Sequence, residues 1–144
     1  MNFTTQITIN RPRQRVVELI RNPDNIAQWQ PGVQSVELIY GERDQIGARS
    51  RVVVDMKGVR LEMIETVVKH SPPDLFASAF EARGVRNLVE NRFIEEDSDK
   101  TRWVMTNAFR FTGLMSLLGL FLDDVVPKQT FESMNRFKIF AEKS

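Results

Sequence analysis

The sequence predicts an α+β fold: a seven-stranded, curved antiparallel sheet wrapped around a long C-terminal helix, with two short helices between strands 1 and 2. Three observations predict it. Apolar residues recur with a period of two over residues 3–9 and again through most of 33–111, as in strands with one buried face. Short breaks carrying Gly, Pro and Asp separate these runs, as an antiparallel meander requires, and no βαβ alternation appears. From residue 114 onward the spacing becomes helical.

Phe3, Thr5, Ile7 and Ile9 fall on one face of the first strand. Asn10 is placed to cap a helix whose first turn tolerates Pro12 and whose apolar positions are Val16, Leu19 and Ile20. Asn22-Pro23 ends that helix and opens a second short one finishing near Trp29, before the turn Gln30-Pro31-Gly32. The next strands are expected around Val36–Tyr40, Arg49–Asp55, Leu61–Val67, Leu75–Glu81, Val85–Glu95 and Thr101–Phe111. The breaks are Gly41–Gly47, Lys57-Gly58, Ser71–Asp74, Arg83-Gly84 and Glu96–Lys100. Leu114, Leu117, Leu118, Phe121 and Val125 then form a helical stripe, which Phe131, Met134, Phe137 and Phe140 continue; Pro127 should kink or restart the helix.

A chain of 144 residues has the length of one domain, and none of its segments reads as a linker or repeat, so 1–144 is expected to be a single unit. Twenty basic and 19 acidic residues give a net charge of +1, which supplies no global field for nucleic acid. Without cysteine there are no disulfides and no thiolate chemistry. The first residues lack the pattern of a signal peptide, and the longest apolar stretch, Phe111–Leu122, is shorter than the ~20 residues of a membrane span. A cytoplasmic location is expected, with no integral membrane segment.

Several features in fixed order carry a resemblance. They are Asn10-Arg11-Pro12 leading into Val16-Val17-Glu18-Leu19, Trp29-Gln30-Pro31-Gly32-Val33, Gly47-Ala48-Arg49, Glu65 followed by Pro72-Pro73, and Thr101-Arg102-Trp103. Nearly end to end, the chain resembles the helix-grip superfamily of START domains, the birch-pollen allergen fold and polyketide cyclases. It is most similar to the polyketide cyclase/dehydrase and lipid-transport (SRPBCC) group. The resemblance implies a cavity between sheet and helix, holding a sterol, lipid, quinone or polyketide, or in some members a protein-binding role.

The residues themselves bear on that cavity. The last strand places Trp103, Met105, Asn107, Phe109 and Phe111 on one face, and its neighbour places Val85, Asn87, Val89, Asn91 and Phe93 on one face. Three asparagines in an apolar wall need partners, since a buried amide without them costs roughly 1–3 kcal/mol. A ligand would supply such partners, and an apolar lining with a few polar groups is the usual make-up of a small-molecule site. Bonds among the asparagines, to backbone or to solvent at the rim are the alternative. The expected ligand-binding set is Trp29, Tyr40, Val54, Met63, Asn87, Asn91, Trp103, Met105, Asn107, Phe109, Leu118, Phe121 and Met134. Met56 and Met115 add further deformable side chains, each equally readable as core. In the Leu114–Leu122 segment, Met115, Leu120 and Leu122 lie off the stripe, which suggests an exposed patch, read as a homodimer contact or a mobile portal.

Little catalytic chemistry is available. His70 and Ser71 are adjacent on a strand and point apart, which defeats a Ser/His arrangement. A lone histidine argues against zinc, and Asp123-Asp124 do not share a helix face, so no metal or cofactor is expected. Glu65 should face inward with Leu61, Met63 and Val67, where it could carry a proton or pair with Arg92 or Arg110; Tyr40 could donate to a ligand oxygen. Binding of a hydrophobic small molecule such as a lipid, isoprenoid or polyketide is the leading reading. A cyclase or dehydratase using Glu65 or Tyr40, and a protein-interaction domain acting through Leu114–Leu122, are the alternatives.

Overall fold

A computed structural model of the chain describes residues 1–119 and 122–144. The side chain of Leu118, and Leu120 and Phe121, which the sequence places on the apolar stripe or patch, lie outside the described residues. The elements are β1 (Asn2–Ile9), α1 (Arg13–Arg21), a 3-10 turn (Pro23–Asn25), α2 (Ile26–Trp29), β2 (Val33–Tyr40), β3 (Arg49–Met56), β4 (Val59–Ser71), β5 (Leu75–Ala82), β6 (Val85–Asp97), β7 (Lys100–Phe111), α3 (Met115–Gly119) and α4 (Val125–Lys143). The strands form one antiparallel sheet in the order β1-β7-β6-β5-β4-β3-β2. Strands 2 to 7 are a meander; β1 departs from it by pairing with β7, so α1 and α2 carry the chain from one edge of the sheet to the other. This curved sheet with its long C-terminal helix is the helix-grip fold.

Directly opposed residues on antiparallel strands share a face, so the register sorts the concave face into rows. One row runs Ile7, Trp103, Phe93. The next runs Thr5, Met105, Asn91, Phe76, His70. Then come Phe3, Asn107, Val89, Ser78, Val67, and after it Phe109, Asn87, Phe80, Glu65, Ser50, Leu38. Beyond Glu65 the face continues through Met63, Val52 and Val36 to Leu61 and Val54. α4 lies over the first two rows, where Thr5 Oγ1 donates to Met134 Sδ (3.1 Å) and Phe137 meets Trp103 edge-on (centroids 5.5 Å).

Trp103 is the centre of the core. Its ring stacks on Phe93 (5.9 Å) and takes Trp29 edge-on (5.7 Å), and α1 adds Val16 and Leu19 to the same cluster. Aromatic pairs of this kind contribute about 0.5–1.5 kcal/mol each beyond the area they bury.

One helix boundary differs from the sequence expectation, and a second takes one of the two forms expected. Pro12, not Asn10, occupies the N-cap of α1, with no side-chain cap. The Asn10 backbone N–H donates instead to Glu142 Oε2 (2.8 Å), fastening the end of β1 to the end of α4. Pro127 marks a restart of the helix and not a kink in it: α4 begins at Val125 and Pro127 falls in its first turn, where no backbone N–H has an intrahelical partner. The residues before it form the separate α3 rather than a continuous helix.

Candidate functional site

The two ends of the concave face differ in what covers them. At the Trp103 end, α1, α2 and the C-terminal half of α4 close over the sheet. At the other end Val36, Leu38 and Leu61 remain exposed on the sheet, as do Val125 and Phe131 on α4. Leu114, just before α3, is 87% exposed and Leu117, on α3, 62%, so this segment presents apolar surface beside this end.

Between the two ends lies a polar couple. Asn87, on β6, and Asn107, on β7, are diagonal neighbours, and Asn87 Nδ2 donates to Asn107 Oδ1 at 3.0 Å. The bond uses one group of each amide. Asn87 Oδ1 and Asn107 Nδ2 are buried and have no hydrogen-bond partner among the described residues. Asn107 is only 4% exposed. A polar group left like this carries a desolvation cost of about 1–3 kcal/mol. Around the couple stand Phe109, stacked between Phe3 (6.2 Å) and Phe111 (5.8 Å), and Val89, Phe80 and Ser78 of the neighbouring strands.

Glu65 stands two strands from Asn87 in the same row, between Phe80 and Ser50. It is half-buried, and its carboxylate makes no hydrogen bond or ion pair among the described residues. The expected arginine partners are ruled out by parity. Arg92 opposes Val104 on the convex face and pairs there with Glu90 (3.2 Å), and Arg110 opposes Arg86 on that same face.

The remaining expected residues divide between these regions. Val54 and Met63 line the open end of the concave face. Met105, Trp103 and Met134 are buried at the closed end. Asn91 is there too, its Oδ1 accepting from Trp103 Nε1 (2.9 Å). Trp29 packs against Trp103 and Phe137, with its Nε1 buried and unpartnered among the described residues. Tyr40 is not brought to the site. A bulge between Leu38 and Tyr40 sets it opposite Arg49, on the convex face, where it is 67% exposed. Leu118 (side chain) and Phe121 lie outside the described residues. His70 faces Phe76 edge-on (5.3 Å), while Ser71 points to the other face. Sequence reasoning missed Phe3, Phe80, Ser50 and Ser78. Counting by two from Glu65 and Asn87 through the pairing finds all four, but only once the register is known.

An antiparallel sheet gripping a terminal helix, with a partly open concave face, defines the START-like helix-grip class. Within that class the chain belongs to the family described as polyketide cyclase / dehydrase and lipid transport, which it matches over residues 1–137. No curated protein matches the sequence. Among solved structures it is similar to the Zhui aromatase/cyclase from Streptomyces sp. R1128 (TM-score 0.83, 19% identity, covering 99% of this chain and 94% of that one). It is also similar to a START superfamily protein from Mycobacterium smegmatis (TM-score 0.71, 11% identity, 99% and 94% covered) and to Ara h 8.0201 (TM-score 0.77, 12% identity, 100% and 99% covered). At these identities the likeness is one of fold. Among the described residues, no helix is long and apolar enough to cross a membrane.

Proposed function

We propose that the protein binds a hydrophobic small molecule, of lipid, isoprenoid or polyketide-like skeleton, on the concave face between the sheet and α4. One observation carries the reading: Asn87 Oδ1 and Asn107 Nδ2 are buried without partners in an otherwise apolar wall. A bound molecule satisfies them, and Val54, Met63, Phe80 and Phe109 supply the apolar contact. The family and the exposed Val36, Leu38 and Leu61 support the same reading. Leu114, just before α3, and Leu117, on it, sit where a portal would, and a homodimer contact is the competing use of that surface.

The test is native mass spectrometry of the freshly purified protein, then thermal shift against lipids and polycyclic aromatics. A ligand at 100 times its Kd adds about 2.7 kcal/mol of stability, a rise of roughly 5–10 °C in Tm for a chain of this size. Asn107→Trp fills the site and should abolish the rise. A bare protein mass together with no shift from any compound would reject the reading.

A second reading is a cyclase or dehydratase in which Glu65 carries a proton. The unpaired carboxylate on the concave face favours it. Glu65→Gln should then remove turnover and keep affinity; unchanged turnover would dismiss the role. Tyr40, on the convex face, has no part in this reading.

A further inference from the structure

We propose that the Asn87–Asn107 couple and Glu65 set the ligand's chemistry: a neutral apolar molecule carrying two hydroxyl groups, one read by the couple and the other by the carboxylate. The proposal rests on the binding reading above and deepens it. The bond joins one NH2 to one carbonyl oxygen, and turning both amides only exchanges donor and acceptor, so the bonded couple keeps one free carbonyl oxygen and one free NH2. A ligand ketone or ether only accepts, and leaves the carbonyl oxygen unpaired. A carboxylate also only accepts. A hydroxyl does both: it donates to Asn87 Oδ1 and accepts from Asn107 Nδ2, satisfying both buried atoms with one group.

Glu65 gives the second half of the specificity. It is the one charged side chain in the two rows that hold the asparagines. An ionised carboxylate only accepts, so it takes a proton donor and repels an anion. Fatty-acid carboxylates are thereby disfavoured, and a second hydroxyl is favoured. Two strand spacings separate Glu65 from Asn87, which places the two polar stations roughly 10 Å apart. Phe80 lies between them, opposite both residues, as an aromatic floor for the ligand skeleton.

The experiment compares para,para′-dihydroxybiphenyl, whose rigid skeleton spans such a gap, with its monomethyl ether, its dimethyl ether and biphenyl-para,para′-dicarboxylate. Binding is read by calorimetry, with Nile red fluorescence as a separate report on any apolar site. The diol should bind about tenfold more tightly than the monomethyl ether, the dimethyl ether should be weaker again, and the dicarboxylate should be weakest. In the Asn87→Leu/Asn107→Leu double variant the preference for diol over dimethyl ether should shrink to the part owed to Glu65. Glu65→Gln should raise the affinity for the dicarboxylate by about tenfold. Nile red binding with equal affinities for diol and dimethyl ether, or with no biphenyl bound, overturns this inference and leaves the binding reading standing. Binding of neither Nile red nor any biphenyl overturns both. The ligand series on the unaltered protein decides the matter even where the double variant fails to fold.

Discussion

The indole Nε1 of Trp103 donates a 2.9 Å hydrogen bond to Asn91 Oδ1, and the two side chains are thereby committed to each other inside the core. Of the three concave-face asparagines on β6 and β7, Asn91 is thus a structural partner, while Asn87 and Asn107 keep free groups. Asn91→Leu keeps the volume and strands the indole N–H. The expected cost is about 1–3 kcal/mol, or roughly 3–10 °C in Tm. Ligand affinity at the Asn87–Asn107 couple should hold. A large loss of affinity with unchanged Tm would show that Asn91 belongs to the site instead.

Glu142 gives the fold an acid-sensitive tie. Burial alone would raise its pKa, but the Lys138 hydrogen bond (2.7 Å), the Asn10 backbone N–H (2.8 Å) and the charges of Lys138 and Arg11 outweigh it and bring the value below the ordinary 4.5. A carboxyl with a lowered folded-state pKa contributes stability that is fully present above 4.5 and lost as pH falls through the folded value. Glu142→Gln should therefore lower Tm at neutral pH, with the gap to the natural sequence closing on acidification below pH 4.5. Thermal melts across this range check it; a gap that widens in acid contradicts the assignment.

Tyr40 and Phe80 separate the two faces of the sheet. Tyr40→Phe should leave ligand affinity unchanged, because the hydroxyl lies on the convex side. Phe80→Ala removes the aromatic floor between Glu65 and Asn87 and should weaken binding about tenfold. Isothermal titration with a compound that passes the thermal-shift screen measures both, and a stronger effect from Tyr40 than from Phe80 would refute the register-based assignment.

Gly84 joins β5 to β6 with φ +78°, and a Cβ there would come within 2.5 Å of Met115 Cγ on α3. Gly58, in the β3–β4 turn, has φ +86° with open space around it. Gly58→Ala therefore reports the cost of the left-handed backbone alone, about 1–2 kcal/mol. Gly84→Ala adds the displacement of Met115. It should be the more destabilising of the two, and Met115→Ala should bring it back toward Gly58→Ala. Denaturant melts of the four variants give the comparison; equal costs for the two glycines would mean that α3 yields freely.

Much of the fold is legible in the sequence because alternation and turn residues act locally. Phe3–Ile9 and Trp103–Phe111 each show the period of two that their strands adopt, and Asn87, Asn91 and Asn107 lie on the face expected of them. The pairing of β1 with β7 is not local, and no pattern within either strand specifies it. Tyr40 fails for a specific reason: counting by two from Leu38 keeps it on the concave face, but the bulge adds a residue and turns it outward. Parity would have excluded Arg92 and Arg110 as partners for Glu65, since each alternates with an inward asparagine or phenylalanine on its own strand. Pro127 signals the restart at α4, but the end of α3 escapes a pattern reading, because Leu114, Leu117 and Val125 keep helical spacing across the break. At the site, the free groups of the asparagine couple are invisible to any one-dimensional reading, for they depend on which amide meets which.

The aromatic cluster around Trp103 occupies one end of the concave face, and the asparagine couple with Glu65 lies toward the other. Under the proposed binding reading, folding stability and ligand choice draw on largely different side chains. Under that reading, substitutions at Val54, Met63, Asn87 or Phe109 would retune what is bound while the Trp103 cluster goes on holding the helix to the sheet. Such a separation would let a lineage change cargo without first losing its architecture.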